Sequence, residues 1–215
     1  MHSTAEKLTF FRQFLRHPKM IGSVLPTSAT VINALLSRVD WQRTRLFVEY
    51  GPGMGTFTRT ILRHLAPDAR LVVIDTNPEF VAHLQASIQD PRLRVVEGSA
   101  ADVEEIIDVR HSGQRADYVL SGLPLSTLPS GIAELIVEGT ARALRPGGSF
   151  LIYQYSGWYV RLLEAWFGHI ESERVWRNFP PCVITQARTD AGLPSTGEVE
   201  AACDLVVKHP NKKVA

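Results

Sequence analysis

Short, mostly apolar runs recur at 46–50, 71–75, 93–97, 117–121 and 149–154, each the length of a strand rather than a helix. Between them, 57–65, 78–89, 101–108 and 131–144 repeat their apolar residues at spacings of three and four. Runs of the first kind predict strands buried on both faces, and segments of the second kind predict the helices that cover them. The alternation is the βαβ rhythm of a parallel, doubly wound sheet. Arg145-Pro146-Gly147-Gly148 marks the expected stop of the fourth helix, with Gly available for the cap and Pro unable to continue it. Two late strands, Arg174 to Phe179 and Cys182 to Arg188, flank Pro180-Pro181 with no helix between them. They predict a hairpin, so the sheet should end in an antiparallel pair.

The two ends of the chain break this rhythm. On a helical wheel Leu8, Phe10, Phe11, Phe14 and Leu15 fill an arc of roughly 160°, with Arg12, Arg16 and Lys19 opposite. This is an amphipathic basic helix. Against an anionic leaflet, Lys7, Arg12, Arg16 and Lys19 less the single Glu6 would supply roughly 3 kcal/mol, and the three Phe would add insertion energy. The alternative reading is a helix that packs its Phe face on the domain and keeps its basic face in water. From Thr189 onward Gly, Pro, Ser and Glu dominate until Lys212-Lys213, which predicts a loosely held tail. The expected organisation is therefore a helix within 1–22, one folded domain over 23–190 and a tail over 191–215.

Composition narrows the classes. A chain of 215 residues that is 45% hydrophobic suits one well-packed core, and 23 basic against 22 acidic residues leave a net charge of +1. No global field draws such a chain onto polyanions, so any such binding has to be local. Cys182 and Cys203 form no CxxC, and the His residues show no close pair at ligand spacing, so reduced thiols and no metal are expected. No apolar run approaches the roughly 20 residues of a membrane span, and the first residues lack a signal-peptide block. A cytoplasmic protein, at most peripheral on a membrane, is the expectation.

Candidate chemistry concentrates after the first strand. Leu46-Phe47-Val48-Glu49-Tyr50 runs into Gly51-Pro52-Gly53-Met54-Gly55, and the three glycines permit positive φ and close approach of the backbone to a ligand. The spacing is not that of a nicotinamide fingerprint, whose third glycine would fall at Thr56. Glu49, at the strand end, would repel a pyrophosphate and favour an ammonium or sulfonium. Asp75 ends the second strand, 20 residues past Gly55, where an acid grips ribose hydroxyls. A nucleoside that carries positive charge fits all three.

This E-x-G-x-G-x-G turn followed by an acidic strand end resembles the class I S-adenosylmethionine-dependent methyltransferases over about residues 20 to 190. The resemblance implies an α/β, Rossmann-like, doubly wound seven-stranded sheet with an antiparallel last strand, here preceded by the N-terminal amphipathic helix. It implies S-adenosyl-L-methionine as cofactor, with Gly51, Gly53 and Gly55 wrapping its methionine part, Glu49 near its amino group, and Asp75 with Thr76 at the ribose. Ser99 and Ala100 fall in the adenine segment, where the family's Gly-Asp pair reads Gly98-Ser99, so Ser99, a backbone group or Asp102 would meet the adenine amine; Ser121 completes the set from the fourth strand.

Ser121-Gly122-Leu123-Pro124-Leu125 stands where related adenine and glutamine N-methyltransferases carry Asn or Asp before Pro-Pro and an aromatic. A flipped base would lose its hydrogen bond and its stacking platform here. Phe14 to Ser28, Val48 to Gly53 and Ser121 to Pro124 together are similar to the bacterial phospholipid N-methyltransferases. That resemblance implies methylation of phosphatidylethanolamine toward phosphatidylcholine at the inner face of the cytoplasmic membrane, with the N-terminal helix as the membrane contact and no nucleic-acid partner. An rRNA adenine N6-methyltransferase and a non-catalytic, membrane-associated cofactor-binding scaffold are the alternatives. For the amine proton, Tyr153 and Tyr155 after the fifth strand and His17 before Pro18 are the candidate acceptors, with Trp158 and Tyr159 in the same aromatic group; Arg161, Arg174 and Arg177 are candidates for a lipid phosphate.

Overall fold

A computed structural model describes residues 28–129, 131–155, 157, 159–176 and 181–190. Seven strands build one sheet: β1 Leu46–Tyr50, β2 Arg70–Asp75, β3 Leu93–Glu97, β4 Ala116–Ser121, β5 Leu144–Gln154, β6 His169–Val175 and β7 Cys182–Arg188. Their order is β3-β2-β1-β4-β5-β7-β6, with β1 to β5 parallel and β7 antiparallel to both its neighbours. The fold is the expected Rossmann-like α/β sheet. Helices α1 Ala29–Leu36, α2 Thr56–His64, α3 Pro78–Ser87, α4 Val103–Ile106, α5 Val109–Ser112, α6 Ile132–Ala143 and α7 Val160–Glu164 accompany it.

Burial on both faces explains the unbroken apolar runs, since Leu46 to Tyr50 and Ala116 to Ser121 are buried at every position. One face packs Val48, Tyr50 and Phe150 with α6 and α7; the other packs Phe47, Val73 and Leu151 with α1 and α2. The central strands thus send alternate side chains to opposite cores.

Four expectations need correction. The segment 101–108 is not one helix: a 3-10 turn at Ala100–Asp102 leads into α4, and Asp108 at φ 57° breaks the chain before α5. Arg145-Pro146-Gly147-Gly148 does not separate helix from strand, because α6 ends on Leu144 in extended conformation and that residue already pairs with Ala116. The Pro-Gly-Gly segment is an irregularity inside β5, after which pairing resumes at Tyr118 with Ser149. Thr189 pins it, donating its hydroxyl to the Arg145 carbonyl at 2.7 Å and exchanging backbone bonds with Gly147 and Gly148, so this residue is not the start of a loose tail. β6 begins at His169, five residues before the predicted strand, because it is an edge strand whose exposed Glu171 and Glu173 hide it from an apolar pattern. The N-terminal helix with His17, the residues Trp158 and Arg177, and the tail 191–215 lie outside the described residues.

The edge where the parallel strands begin is closed by ion pairs and backbone bonds. Asp117 Oδ2 accepts the backbone N–H groups of Arg45 at 2.7 Å and Leu46 at 2.9 Å, while Oδ1 accepts from Arg145 Nε at 2.5 Å. Arg92 bonds Asp90 and also donates to the carbonyls of Leu62 and Leu65, tying the α2 terminus to β3. Every polar group named here is spent on the chain.

Candidate active site

The opposite edge, where the parallel strands end, is organised differently. The sheet order reverses between β1 and β4, so the turns that leave these two strands diverge and open a crevice at the carboxyl edge. Gly51 N–H donates to Ile74 O and Gly122 N–H donates to Tyr50 O, both at 3.0 Å, which fixes where each turn departs from the ladder.

Gly51, Gly53 and Gly55 all hold positive φ, at 62°, 55° and 80°. Their surroundings divide them. A methyl group added at Gly55 would lie 2.5 Å from Leu84 Cδ2, and one at Gly51 would lie 2.9 Å from Leu123 Cδ2; at Gly53 it would meet nothing within 4 Å. Gly55 is needed for packing at the start of α2, whereas the open space over Gly53 leaves its backbone accessible to a ligand.

Two acids stand beside this turn. Glu49 is 1% exposed, and its described partner is Thr58, whose hydroxyl donates to Oε2 at 2.7 Å. Burial pushes the Glu49 carboxyl up to about 8 despite that bond, and the negative charge of Asp75 adds to the rise. Asp75 is likewise pushed by burial up to about 6, although the N–H groups of Asn77, at 2.8 Å, Gly53 and Thr76 hold it down. Among the described residues no Lys, Arg or His forms an ion pair with either acid. The Thr76 hydroxyl beside them is buried with no hydrogen-bond partner. A buried and a half-buried carboxyl without a counter-ion among the described residues, an orphan hydroxyl and an open glycine form a site whose chemistry suits a cationic nucleoside.

The other expected residues reach the same edge in different states. Ser99 is fully buried and its Oγ accepts Ala101 N–H at 3.1 Å, capping the 3-10 turn that holds buried Ala100. Ser121 is also fully buried, with Oγ accepting Leu123 N–H at 3.2 Å. These serines shape the turns that follow β3 and β4. The Tyr153 ring packs on Phe57 at 5.2 Å, and its hydroxyl sits so close to Gly122 that a Cβ there would be 2.8 Å from it. Tyr153 therefore overlooks the β1–β4 crevice. Tyr155 is 58% exposed at the rim, while Tyr159 is in the core, bonded to Thr185 Oγ1 at 2.7 Å with its phenol pushed up to about 12 by burial.

Two residues escaped the sequence reading. Thr58 orients Glu49, and Gln154 donates from Nε2 to the Leu123 carbonyl at 3.1 Å, bracing the turn after β4. Both had a legible signal: Thr58 is a polar residue among the core-facing Phe57, Ile61 and Leu62, and Gln154 continues the inward alternation of Phe150 and Ile152.

Residues 47–148 match the family described as the methyltransferase domain. The chain carries a class I, S-adenosylmethionine-dependent methyltransferase domain. This methyltransferase is 29% identical over 174 residues to an ornithine lipid N-methyltransferase of Singulisphaera acidiphila, a match covering 80% of this chain and 90% of that one. It is also 39% identical to ribosomal RNA small subunit methyltransferase H of Bordetella avium, but over only 87 residues, 40% of this chain and 24% of that protein. Among solved structures, the Burkholderia thailandensis 1,6-didemethyltoxoflavin-N1-methyltransferase, bound to its substrate and S-adenosylhomocysteine, superposes with a TM-score of 0.63 at 18% identity, covering 88% of this methyltransferase and 92% of that chain. It has the same fold.

Proposed function

We propose that this methyltransferase moves methyl groups from S-adenosylmethionine to the amine head group of a phospholipid, phosphatidylethanolamine toward phosphatidylcholine, while resting on the cytoplasmic face of a membrane. The observation that carries the reading is the extent of the lipid-enzyme match: it spans nine-tenths of that relative, whereas the ribosomal match spans a quarter of its own. The acceptor-side turn agrees, because Ser121-Gly122-Leu123-Pro124-Leu125 offers a base neither a carboxamide nor an aromatic platform.

In this reading Gly51, Gly53 and Gly55 hold the methionine part of the cofactor, Glu49 faces its ammonium, and Asp75 with Thr76 takes the ribose. Ser99 and Ala100 shape the adenine end, and Ser121 the acceptor end. The bound cofactor supplies an electrophilic methyl group on a sulfonium, so the chain needs no covalent nucleophile. What it must do is align the amine lone pair with that methyl and keep water away. A lipid ammonium must first lose a proton, and entry into a dry crevice lowers its pKa. Tyr153, with its hydroxyl above Gly122, is placed to receive that proton or pass it on; Tyr155, open to solvent, is not.

The test is methyl transfer from labelled S-adenosylmethionine to vesicles containing phosphatidylethanolamine, with vesicles containing ornithine lipid and unmodified ribosomal RNA as parallel acceptors. Labelled phosphatidylethanolamine supports the reading. Label in ornithine lipid alone moves the head group, label in RNA alone overturns the lipid reading, and vesicle binding without any transfer favours a scaffold.

A further inference from the structure

The large apolar residues that the described chain leaves exposed are Met54, Tyr155 and Trp176, at 53%, 58% and 71%. Single exposed apolar side chains are ordinary on a protein surface, and their positions matter more than their number. Met54 lies in the turn after β1, Tyr155 follows β5, and Trp176 follows β6. Because β7 is antiparallel to both β5 and β6, the last two strands flanking it run the same way as β1. All three residues therefore leave the sheet at one edge, the carboxyl edge that holds the glycine turn. From β1 to β6 the order takes four steps, so they spread along about 19 Å of that edge at normal strand spacing.

The same edge carries an exposed arginine, Arg174, at its β6 end, well along the sheet from the strand-end acids Glu49, Asp75 and Glu97 of β1 to β3. Arg38, Arg43, Arg45, Arg92, Arg142 and Arg145 each have a carboxylate within 4.0 Å, and Arg59, Arg63, Arg94 and Arg115 bond hydroxyl or carbonyl oxygens. Exposed Arg174 instead lays its guanidinium over the Trp176 ring, 5.2 Å from the centroid, with no carboxylate partner among the described residues. Glu173, its neighbour in the strand, is taken by Arg38 at 2.9 Å. Tryptophan, tyrosine and a cation without a counter-ion, spaced along a rim rather than gathered in a groove, have the chemistry of a bilayer interface, where amphipathic rings sit at head-group depth and arginine meets phosphate. A protein partner would be met by a contiguous apolar patch.

We infer that the carboxyl edge of the sheet is a membrane-contact surface, with Trp176, Tyr155 and Met54 entering the interface of an anionic bilayer and Arg174 meeting its phosphates. This contact is separate from the one expected of the N-terminal helix, and it sets the orientation of the enzyme: the β1–β4 crevice opens onto the lipid surface, so a head group enters without its lipid leaving the bilayer. The inference rests on the proposed lipid substrate only for its purpose. The surface itself is argued from exposure, strand direction and charge.

The experiment uses the full chain and vesicles of phosphatidylglycerol and phosphatidylcholine in equal parts. The double variant Tyr155→Ser/Trp176→Ser should bind them about tenfold more weakly than the wild type, with unchanged affinity for S-adenosylmethionine as the control for folding. Vesicles with brominated acyl chains should quench the wild-type tryptophan fluorescence more than that of Trp176→Phe. Equal vesicle binding, or equal quenching, overturns the inference. Loss of RNA binding rather than vesicle binding in the double variant also overturns it. Lipid methylation by the wild type together with undiminished vesicle binding by the variant would sink the rim and leave the substrate reading standing. Vesicle binding through the rim without lipid methylation would do the reverse.

Discussion

The two edges of the sheet hold similar residues and use them in opposite ways. At the amino edge Asp117 is buried and every oxygen is met by a donor from Arg45, Leu46 or Arg145. At the carboxyl edge Glu49 is buried just as deeply but has, among the described residues, only Thr58 as partner and no cation, and its carboxyl rises to about 8. A buried acid with its partners in place is part of the fold. A buried acid without them raises the free energy of the empty protein and stands ready for a cationic ligand. The exposed apolar residues follow the same division, since all three leave the carboxyl edge.

The comparison breaks if the edges respond alike to substitution. Asp117→Ala should have the largest effect, lowering unfolding free energy by about 4 kcal/mol in denaturant titration while the folded fraction binds S-adenosylmethionine within twofold of the wild type. Gly55→Ala should cost about 3 kcal/mol, from positive φ and the overlap with Leu84, whereas Gly53→Ala should cost about 1 kcal/mol and yet abolish measurable cofactor binding. Glu49→Gln should weaken the cofactor about tenfold or more. It should also make the empty protein more stable above neutral pH. The sign follows from the raised carboxyl: between about 4.3 and 8 the unfolded chain gives up a proton that folded Glu49 keeps, so this residue subtracts stability as pH rises through that window, and Gln removes the slope. Tyr153→Phe should have the smallest effect on binding and stability, while lowering the rate of methyl transfer about tenfold, read as kcat at saturating cofactor.

Much of this contrast is written locally in the chain. The glycine turn, Glu49 and Asp75 were legible because a strand, a spacing and a charge at its end are sequence-adjacent. The central strands β1 and β4 were legible because burial on both faces leaves unbroken apolar runs, and half-exposed β3 because Leu93, Val95 and Val96 still stand out beside Arg94 and Glu97. What escaped depended on partners far along the chain. Nothing near Asp117 announces Arg45, 72 residues away, and the edge strand β6 reads as polar because no strand among the described residues pairs with its outer flank. Thr58 and Gln154 look like ordinary polar residues in the sequence, although each interrupts an apolar face at a buried position. Ser99 and Ser121 arrived at the expected edge, but with their oxygens committed to backbone N–H groups.

The most direct test of the central claim is calorimetric titration of S-adenosylmethionine into the full-length protein between pH 6 and 8, in buffers of different ionisation enthalpy. Glu49, protonated in the empty crevice below about pH 8, should ionise as the ammonium arrives, so binding near pH 7 should release about one proton and tighten as pH rises, with both effects absent in Glu49→Gln. Binding that is independent of pH and releases no proton in the wild type would contradict the account.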